Sequence, residues 1–196
     1  MVDDHELLAA WRRGDQAAGG VLLQRHFRAL YRFFRNKVGN QADDLIQLTM
    51  LATVKGRDGF RGDCSFRAYL FIVARHELFR FLRKRSHEAD FDPQTSSIYD
   101  LRPSPSAVAG ARGEQVLLLE ALRCIPLQYQ LTLELHYWEE LSTSELAEAL
   151  EVPVGTVKSR LRRGRAALEA ELKRRVSRDD ATDTESVLRS LALLRG

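Results

Sequence analysis

STSELAEALEVPVGTVKSRLRRGR, residues 142–165, is the stretch that decides the fold of the second half of this chain. Ser142 followed by Glu145 is a capping-box pattern, in which each side chain satisfies a backbone N–H group at the start of a helix. Pro153 ends that helix, because the residue before a proline is pushed out of the helical conformation, and it suits the first turn of the next helix. The stretch therefore predicts a helix-turn-helix.

The second helix of this pair has an apolar face and a basic face. The apolar residues recur at helical spacing: Val157, Leu161, Gly164, Leu168 and Leu172. The opposite face carries Ser159, Arg162 and Arg163, with Lys158, Arg160 and Arg165 on its flanks. Arginine there can pair with guanine in a major groove, and flanking cations can neutralise phosphates. We interpret this face as DNA-binding; the alternative is an ordinary solvated basic face.

The composition permits one domain or two small ones. The chain has 196 residues, of which 44% are hydrophobic, a net charge of +3 and a pI near 9.0. This modest charge means that a nucleic-acid signal must lie in local clustering, and eight Lys and Arg stand against two Glu between Lys158 and Arg175. The N-terminal sequence has no signal-peptide pattern, and no 18 consecutive apolar residues occur. We therefore expect a soluble, cytoplasmic protein.

The sequence contains no persuasive catalytic or metal-binding set. Cys64 and Cys124 lie far apart and outside any CxxC or Cys-His spacing, which argues against a disulfide framework and a zinc site. The five histidines form no His-Glu-x-x-His pattern. Asp43 and Asp44 are adjacent, so on a helix they diverge by about 100° and cannot share one reaction centre. We expect a protein that is not an enzyme and that needs neither a metal nor a cofactor.

The first half of the chain also has helical periodicity. It predicts helices over residues 4–13, 20–38, 41–54 and 63–85, and no alternating strand pattern occurs. The residues expected to face inward on the second and third of these helices are Leu23, Phe27, Leu30, Tyr31 and Phe34, then Leu45, Leu48 and Leu51. Two further helices are expected before the helix-turn-helix, over residues 115–124 and 126–138. The predicted fold class is all-α.

The helix over residues 63–85 and the loop before it are rich in aromatic and basic residues. Six of the sixteen aromatic residues of the chain lie between Phe60 and Phe81, interleaved with arginines. Aromatic rings beside a cationic track suit single-stranded nucleic acid, whose bases stack while its backbone follows the charges. Composition alone leaves a buried amphipathic helix as an equal alternative.

Two other segments have a different composition. Residues 87–113 contain three of the five prolines among Ser, Thr, Asp and Gly, which predicts a flexible linker. Fully extended, such a linker reaches roughly 90–100 Å, whereas two turns of duplex DNA span roughly 70 Å. Residues 177–196 form a C-terminal extension, in which Val187, Leu188, Leu191 and Leu194 predict a short amphipathic helix that packs on the body or meets a partner.

Four stretches, in this order, resemble the extracytoplasmic-function group of bacterial RNA polymerase sigma factors, a part of the sigma-70 family. They are LLQRHFRALYRFF at 22–34, ADDLIQ at 42–47, FRGDCSFRAYLFIVARHELFRFLRKR at 60–85 and VPVGTVKSRLRRGRAAL at 152–168. The resemblance implies two small helical domains joined by a flexible linker. Residues 1–86 would be region 2, 87–113 the linker, 114–176 region 4 with its helix-turn-helix, and 177–196 lies outside the resemblance.

The resemblance also implies site residues by position. The residues that match the family's minus-thirty-five contacts are Thr156, Lys158, Ser159, Arg160, Arg162, Arg163, Arg165 and His136, the last standing where an arginine is common. The residues for minus-ten recognition as single-stranded DNA are Phe60, Arg61, Gly62, Asp63, Ser65, Arg75, His76, Arg80 and Arg83. The residues for binding core polymerase are Asp43, Asp44 and Gln47, followed by Leu48 where an acidic residue is usual.

The implied function is that of an alternative sigma factor. Such a protein binds the clamp helices and flap of core RNA polymerase, reads a two-part promoter as duplex and as single strand, and assists melting. An anti-sigma factor is a common further partner in the family. The alternative hypothesis is a stand-alone helix-turn-helix repressor whose N-terminal helices form a ligand or dimer domain.

Overall fold

The computed structural model describes residues 2–60, 62, 64–85, 91–100 and 114–176. These residues form eight α-helices, and a 3-10 turn at Gly39–Gln41 joins the second to the third. The helices are α1 Asp4–Arg12, α2 Gln16–Val38, α3 Ala42–Gly56, α4 Phe66–Arg85, α5 Glu114–Cys124, α6 Leu127–Tyr137, α7 Thr143–Leu150 and α8 Val154–Val176. The prediction of an all-α fold is confirmed. The predicted site residues Arg61 and Asp63 and the predicted helix in 177–196 lie outside the described residues.

The helix-turn-helix consists of α7 and α8, and its capping box is formed. The hydroxyl of Ser142 accepts the N–H of Glu145 at 3.2 Å, and the carboxylate of Glu145 accepts the N–H of Ser142 at 2.9 Å. The five apolar residues predicted to share one face of α8 are all buried. Gly164 lets this face approach α6 closely, since a Cβ atom there would lie only 3.1 Å from the Cβ of Tyr129. The prediction for this part of the chain is confirmed.

The buried face of α2 is rotated from the predicted one. Leu30 and Phe34 are fully buried as expected, but Phe27 and Tyr31 are each 39% exposed, so their inward placement was wrong. Phe33 takes an inward position instead. The aromatic residues of α2 cover more than one face of the helix, so helical periodicity alone does not identify which of them are buried.

On α3 the correction has a clear physical reason. Leu45 is buried as predicted, but Leu48 and Leu51 are 47% and 55% exposed. The inward positions belong to Thr49 and Thr53, whose hydroxyls donate to the backbone carbonyls of Leu45 at 2.7 Å and of Thr49 at 2.8 Å. A threonine that satisfies its hydroxyl within its own helix can be buried at little cost. The leucines are therefore left on the surface.

One continuous core joins the N-terminal helices α2–α4 to the C-terminal helices α5–α8, and a buried ion pair lies within it. The Lys37 side chain on α2 is fully buried and its ammonium group donates to the carboxylate of Glu134 on α6, which is 3% exposed. Asn36 and Gln130 donate to the other oxygen of the same carboxylate at 3.2 and 2.8 Å. Burial lowers the pKa of Lys37, and the attraction of Glu134 opposes that shift.

A second buried carboxylate strengthens the same junction. Glu139, just after α6, is 2% exposed. Its two oxygens accept from Arg32 on α2 at 2.9 and 3.0 Å, and one of them also accepts from Arg67 on α4 at 3.0 Å. Both carboxylates therefore depend on cations from the N-terminal helices, because a buried charge is costly unless it is paired.

Residues 91–100 lie in the predicted flexible linker, yet they pack on the C-terminal helices. Ile98 is fully buried, and Ser97 forms an isolated bridge with Pro126. The N–H of Tyr99 donates to the carbonyl of Arg123 at 2.8 Å. The prediction of flexibility needs correction at these ten residues, since the apolar side chain of Ile98 supplies a contact that the polar composition of its surroundings concealed.

Replacing Lys37 with alanine should strongly destabilise the fold. The change leaves Glu134 buried without its cation, and removing one member of a buried pair costs about 3–5 kcal/mol. Urea denaturation followed by far-ultraviolet circular dichroism measures the free energy of unfolding. Lys173→Ala is the matched control, because Lys173 forms an exposed pair with Glu169 and such pairs contribute at most about 1 kcal/mol. Equal losses for both variants would contradict the importance of the buried pair.

Candidate nucleic-acid interface

The basic face predicted on α8 is exposed to solvent. Lys158, Arg162 and Arg163 are exposed, whereas Ser159 is half-buried. The hydroxyl of Ser159 donates to the carbonyl of Thr156 at 2.9 Å, which leaves its oxygen lone pairs as acceptors. The exposed guanidinium groups lie on the side of α8 opposite to its buried stripe, and this is the arrangement of a helix that enters a major groove.

Three other residues predicted for this interface are tied to the body of the protein. Arg160 is half-buried, and burial lowers the pKa of its guanidinium. Arg165 lies over the ring of Tyr137, 5.4 Å from its centroid. The Nδ1 atom of His136 is 3.0 Å from the carbonyl oxygen of Leu141. These contacts steady the edge of the basic face.

The loop between α3 and α4 contains the second group of predicted residues. Phe60 is half-buried and packs on Tyr69 of α4, with the ring centroids 4.7 Å apart. Gly62 has a φ of 81°, in the left-handed region that favours glycine. The hydroxyl of Ser65 accepts the N–H of Ala68 at 3.1 Å and so caps the start of α4. Phe60 is therefore held against the first turns of α4.

Arg75 and His76, further along α4, contact the turn between the two helices of the helix-turn-helix. Arg75 donates to the carbonyl of Leu150 and forms an ion pair with Glu151. The Nε2 atom of His76 is 3.1 Å from the same carboxylate. Burial, with repulsion from Arg160, lowers the pKa of Arg75 to about 10, so it stays charged at neutral pH. Burial and the neighbouring Arg75 lower the pKa of His76, so its ring is neutral there.

Glu151, the residue that follows α7, has an unusual backbone conformation. Its φ is 53° and its ψ is 48°, a left-handed geometry that a residue with a side chain adopts only at some cost. The turn therefore places a carboxylate where glycine would be the easiest residue. Its contact with Arg75 was not predicted from the sequence, because 76 residues separate the two.

The last predicted residues on α4 remain accessible. Arg80 is exposed and pairs with Glu77 at 3.1 Å within the same helix. Arg83 is exposed and lies 5.9 Å from the ring centroid of Phe91. With exposed Lys84 they form a basic end to the helix that can meet a phosphate backbone.

The third predicted group lies on α3, apart from the basic surfaces. Asp43, Asp44 and Gln47 are exposed, and the exposed leucines 48 and 51 lie on the same side as Asp44 and Gln47, since the spacing i, i+3, i+4, i+7 follows one helical face. Sequence reasoning missed the two leucines because it placed them in the core. A mixed acidic and apolar face of this kind is typical of a protein-binding surface.

The described part of the chain has neither a metal-binding cluster nor a membrane-spanning helix. No group of three or more His, Cys, Asp or Glu residues in it is placed to hold a metal ion. Among its helices, none combines the length and the apolar character needed to cross a bilayer.

Comparison with known proteins relates both halves of the chain to one family. Residues 22–88 match the family described as Sigma-70 region 2. Residues 115–168 match the family described as Sigma-70, region 4. The first match includes α3 and α4, and the second includes α7 and the first part of α8, up to residue 168.

Curated relatives of similar length align with most of the chain. The extracytoplasmic-function (ECF) RNA polymerase sigma factor SigM of Mycobacterium tuberculosis H37Rv is 32% identical over 168 residues, covering 84% of this chain and 82% of SigM. The ECF RNA polymerase sigma factor SigW of Bacillus subtilis 168 is 29% identical over 173 residues, covering 83% of this chain and 92% of SigW.

Two solved structures have a similar fold. CnrH, in complex with the cytosolic domain of CnrY, superposes with a TM-score of 0.66 and 27% identity, covering 87% of this chain and 97% of CnrH. The sigma factor RpoE of Bartonella quintana, in complex with the anti-sigma factor NepR, has a TM-score of 0.58 and 23% identity over 78% of this chain and 93% of RpoE. The second likeness concerns the fold alone.

Arg162→Ala should weaken binding to a preferred duplex by about 1–3 kcal/mol, and the loss should be confined to one base-pair position, as expected for a base contact. Selection from a randomised duplex library followed by titration measures both quantities. Arg174→Ala is the matched control, because Arg174 lies on the same helix but pairs with Glu171. A uniform loss across all sequences would show that Arg162 contacts only phosphate.

Proposed function

The chain belongs to the extracytoplasmic-function group of sigma-70 RNA polymerase sigma factors, and on this premise we propose how its helices direct initiation. It is an alternative sigma factor that binds core RNA polymerase and directs transcription from promoters. The observation that carries the proposal is the exposed basic face of α8, which stands opposite a fully packed stripe and belongs to a formed helix-turn-helix.

We assign the upstream promoter element to residues 114–176. Arg162 and Arg163 would contact base edges in the major groove, because guanidinium groups pair bidentately with guanine. Lys158 would neutralise phosphate. Support comes from the exposure of all three and from the fixed setting of α8 on α6. Thr156, Ser159, Arg160, Arg165 and His136 would complete the surface.

We assign the downstream element to residues 1–86. Phe60 and the loop that follows would receive an unpaired base, and the basic end of α4 would follow the strand. Arg80 and Arg83 support this, since both are exposed and Arg83 also lies beside the ring of Phe91. Melting would be assisted because a captured base no longer returns to the duplex, which is the logic of base flipping used without chemistry.

We assign core polymerase binding to the exposed face of α3. Asp43, Asp44 and Gln47 would make polar contacts with the clamp helices of the largest subunit. Leu48 and Leu51 would add the apolar contact area that this surface otherwise lacks, which agrees with their exposure. This face and the basic face of α8 are distinct, so polymerase and duplex could be bound together.

Several broader conclusions follow from family membership. We infer that the chain acts in the cytoplasm, where bacterial transcription takes place, and by binding rather than by turnover. We propose an anti-sigma factor as a further partner, since CnrH forms a complex with the cytosolic domain of CnrY, and RpoE forms one with the anti-sigma factor NepR. The repressor hypothesis is not favoured, because the sigma-70 matches cover both halves of the chain.

Promoter recognition on this scheme requires the two halves of the protein to separate. Here α4 packs directly on α7, whereas sites two turns apart on duplex DNA are roughly 70 Å from each other. Arg75 and His76, assigned to the downstream element, are engaged by Glu151. We therefore propose that the structure is a closed form, which opens before α4 meets DNA.

Run-off transcription with purified core polymerase and a genomic promoter library tests the function. The wild-type chain should yield sequence-specific transcripts. The double variant Asp44→Ala/Gln47→Ala should reduce them by weakening its affinity for core, measured by fluorescence titration, while its duplex preference is unchanged. Glu169→Ala, which removes an exposed acid on α8, should leave core affinity intact. The absence of any specific transcript would overturn the function, and an unchanged core affinity would overturn the role of α3.

Glu151→Gln should shift the protein toward an open form. The change removes the charge that pairs with Arg75 and keeps the size of the side chain, so single-stranded DNA should bind about two- to fivefold more tightly without polymerase, as expected for a partly exposed ion pair. Small-angle scattering should show a larger radius of gyration. Glu169→Gln is the control, since it makes the same chemical change at a carboxylate that pairs with Lys173 within α8. An unchanged radius and affinity would refute the closure.

A further inference from the structure

The loop that carries Phe60 is held from α1, a helix that precedes the region 2 match at residues 22–88. Arg12 is the last residue of α1, and its Nε and Nη2 atoms both donate to the carbonyl oxygen of Arg57, at 3.1 and 2.8 Å. The same Nη2 atom donates to the carbonyl of Phe60. One guanidinium group thus joins the two ends of a four-residue turn.

The turn relies on this group because its own backbone gives only one long hydrogen bond between its two ends. The N–H of Phe60 reaches the carbonyl of Arg57 at 3.4 Å, and the N–H of Gly59 reaches that of Gly56 at 3.1 Å. A planar guanidinium with several fixed donors can bind two carbonyls at once, and hydrogen bonds from a charged donor are stronger than neutral ones. A lysine ammonium at the same position would lack the fixed fork.

The side chain of Phe60 is fixed by the same arrangement. Its ring packs on Tyr69 and lies 5.6 Å from the guanidinium carbon of Arg12. Tyr69 in turn fits beside Gly56, where a Cβ atom would lie 2.4 Å from the tyrosine oxygen. Backbone and ring of Phe60 are therefore both oriented by contacts that include Arg12.

α1 is itself rigidly seated, so it can serve as a support. Trp11, the residue before Arg12, is 2% exposed. It packs so closely on α2 that a Cβ atom at Gly19 would lie 2.5 Å from its ring. The guanidinium of Arg57 also lies over the Trp11 ring, 5.4 Å from its centroid. Phe60 and Tyr69 pack against the same small core as Trp11, which ties the loop to α1.

We propose that Arg12 is a positioning residue for recognition of the unpaired promoter base. It holds the carbonyl and ring of Phe60 in the orientation that base capture requires, and it does not need to touch the DNA. The inference rests on the proposed role of the Phe60 loop in downstream recognition. It extends that role to a helix outside the matched residues.

Holoenzyme assembled with each variant tests the proposal on fork-junction DNA, a duplex with an unpaired downstream segment. The preferred unpaired sequence is first selected from a randomised library with the wild-type protein. The readout is the ratio of affinities for the preferred probe and for the random pool. Arg12→Ala should lower this ratio about tenfold, the factor that one charge-assisted hydrogen bond supplies. Core affinity and binding to upstream duplex should not change.

Three further variants make the result decisive. Arg13→Ala removes an exposed cation of the same type from the neighbouring position and should behave as wild type. Arg12→Lys keeps the charge without the planar guanidinium and should lower the affinity ratio nearly as much as Arg12→Ala does. A wild-type ratio for Arg12→Lys would overturn the positioning role. A normal ratio in Phe60→Ala would refute base capture by the loop, and the inference with it. A defective Phe60→Ala beside a normal Arg12→Ala would overturn the inference alone.

Discussion

Two buried carboxylates, Glu134 and Glu139, determine how the halves of this protein meet. Glu134 lies in the last turn of α6 and Glu139 just after that helix. Both are neutralised by cations from the N-terminal helices: Lys37 for the first, Arg32 and Arg67 for the second. An unpaired charge at either position would be expensive inside the protein, so the junction forms as a whole or not at all. When the halves part, water replaces the partners, because ionic groups regain hydration that apolar groups do not. A junction of this composition is therefore better suited to opening than a purely apolar one.

The buried face of a helix could be predicted from the sequence where its pattern of apolar and charged residues is strong. On α8 an apolar residue recurs at every turn against a strongly basic face, so the buried stripe and the exposed Arg162 could both be derived from the sequence. On α3 the pattern misled, because Thr49 satisfies its hydroxyl within the helix and can be buried, while Leu48 is displaced to the surface. The burial of Lys37 could not be predicted either, since a lysine is almost never fully buried without a specific partner.

For the candidate site, the sequence identified residue types better than their surroundings. The motif predicts a role for Phe60, but the contact of Phe60 with Arg12 joins positions 48 residues apart and leaves no local pattern in the sequence. The same is true of Arg75, whose partner Glu151 lies in the turn of a helix-turn-helix. Contacts between distant segments depend on how the helices assemble, and periodicity describes each helix only by itself. Only the folded arrangement of the helices brings these pairs together.

The ion pair between Arg75 and Glu151 affects the affinity for melted DNA through the fraction of molecules in the open form. If only an open fraction of molecules presents this side chain, the apparent dissociation constant for melted DNA equals the intrinsic one divided by that fraction. Every 1.4 kcal/mol or so that favours the closed form would then weaken apparent binding about tenfold. A partner that grips α3 more tightly in the open form raises the fraction without contacting Arg75. Polymerase would in this way increase the affinity for melted DNA without contacting Arg75, and an isolated sigma factor would search DNA with Arg75 and His76 withheld from it.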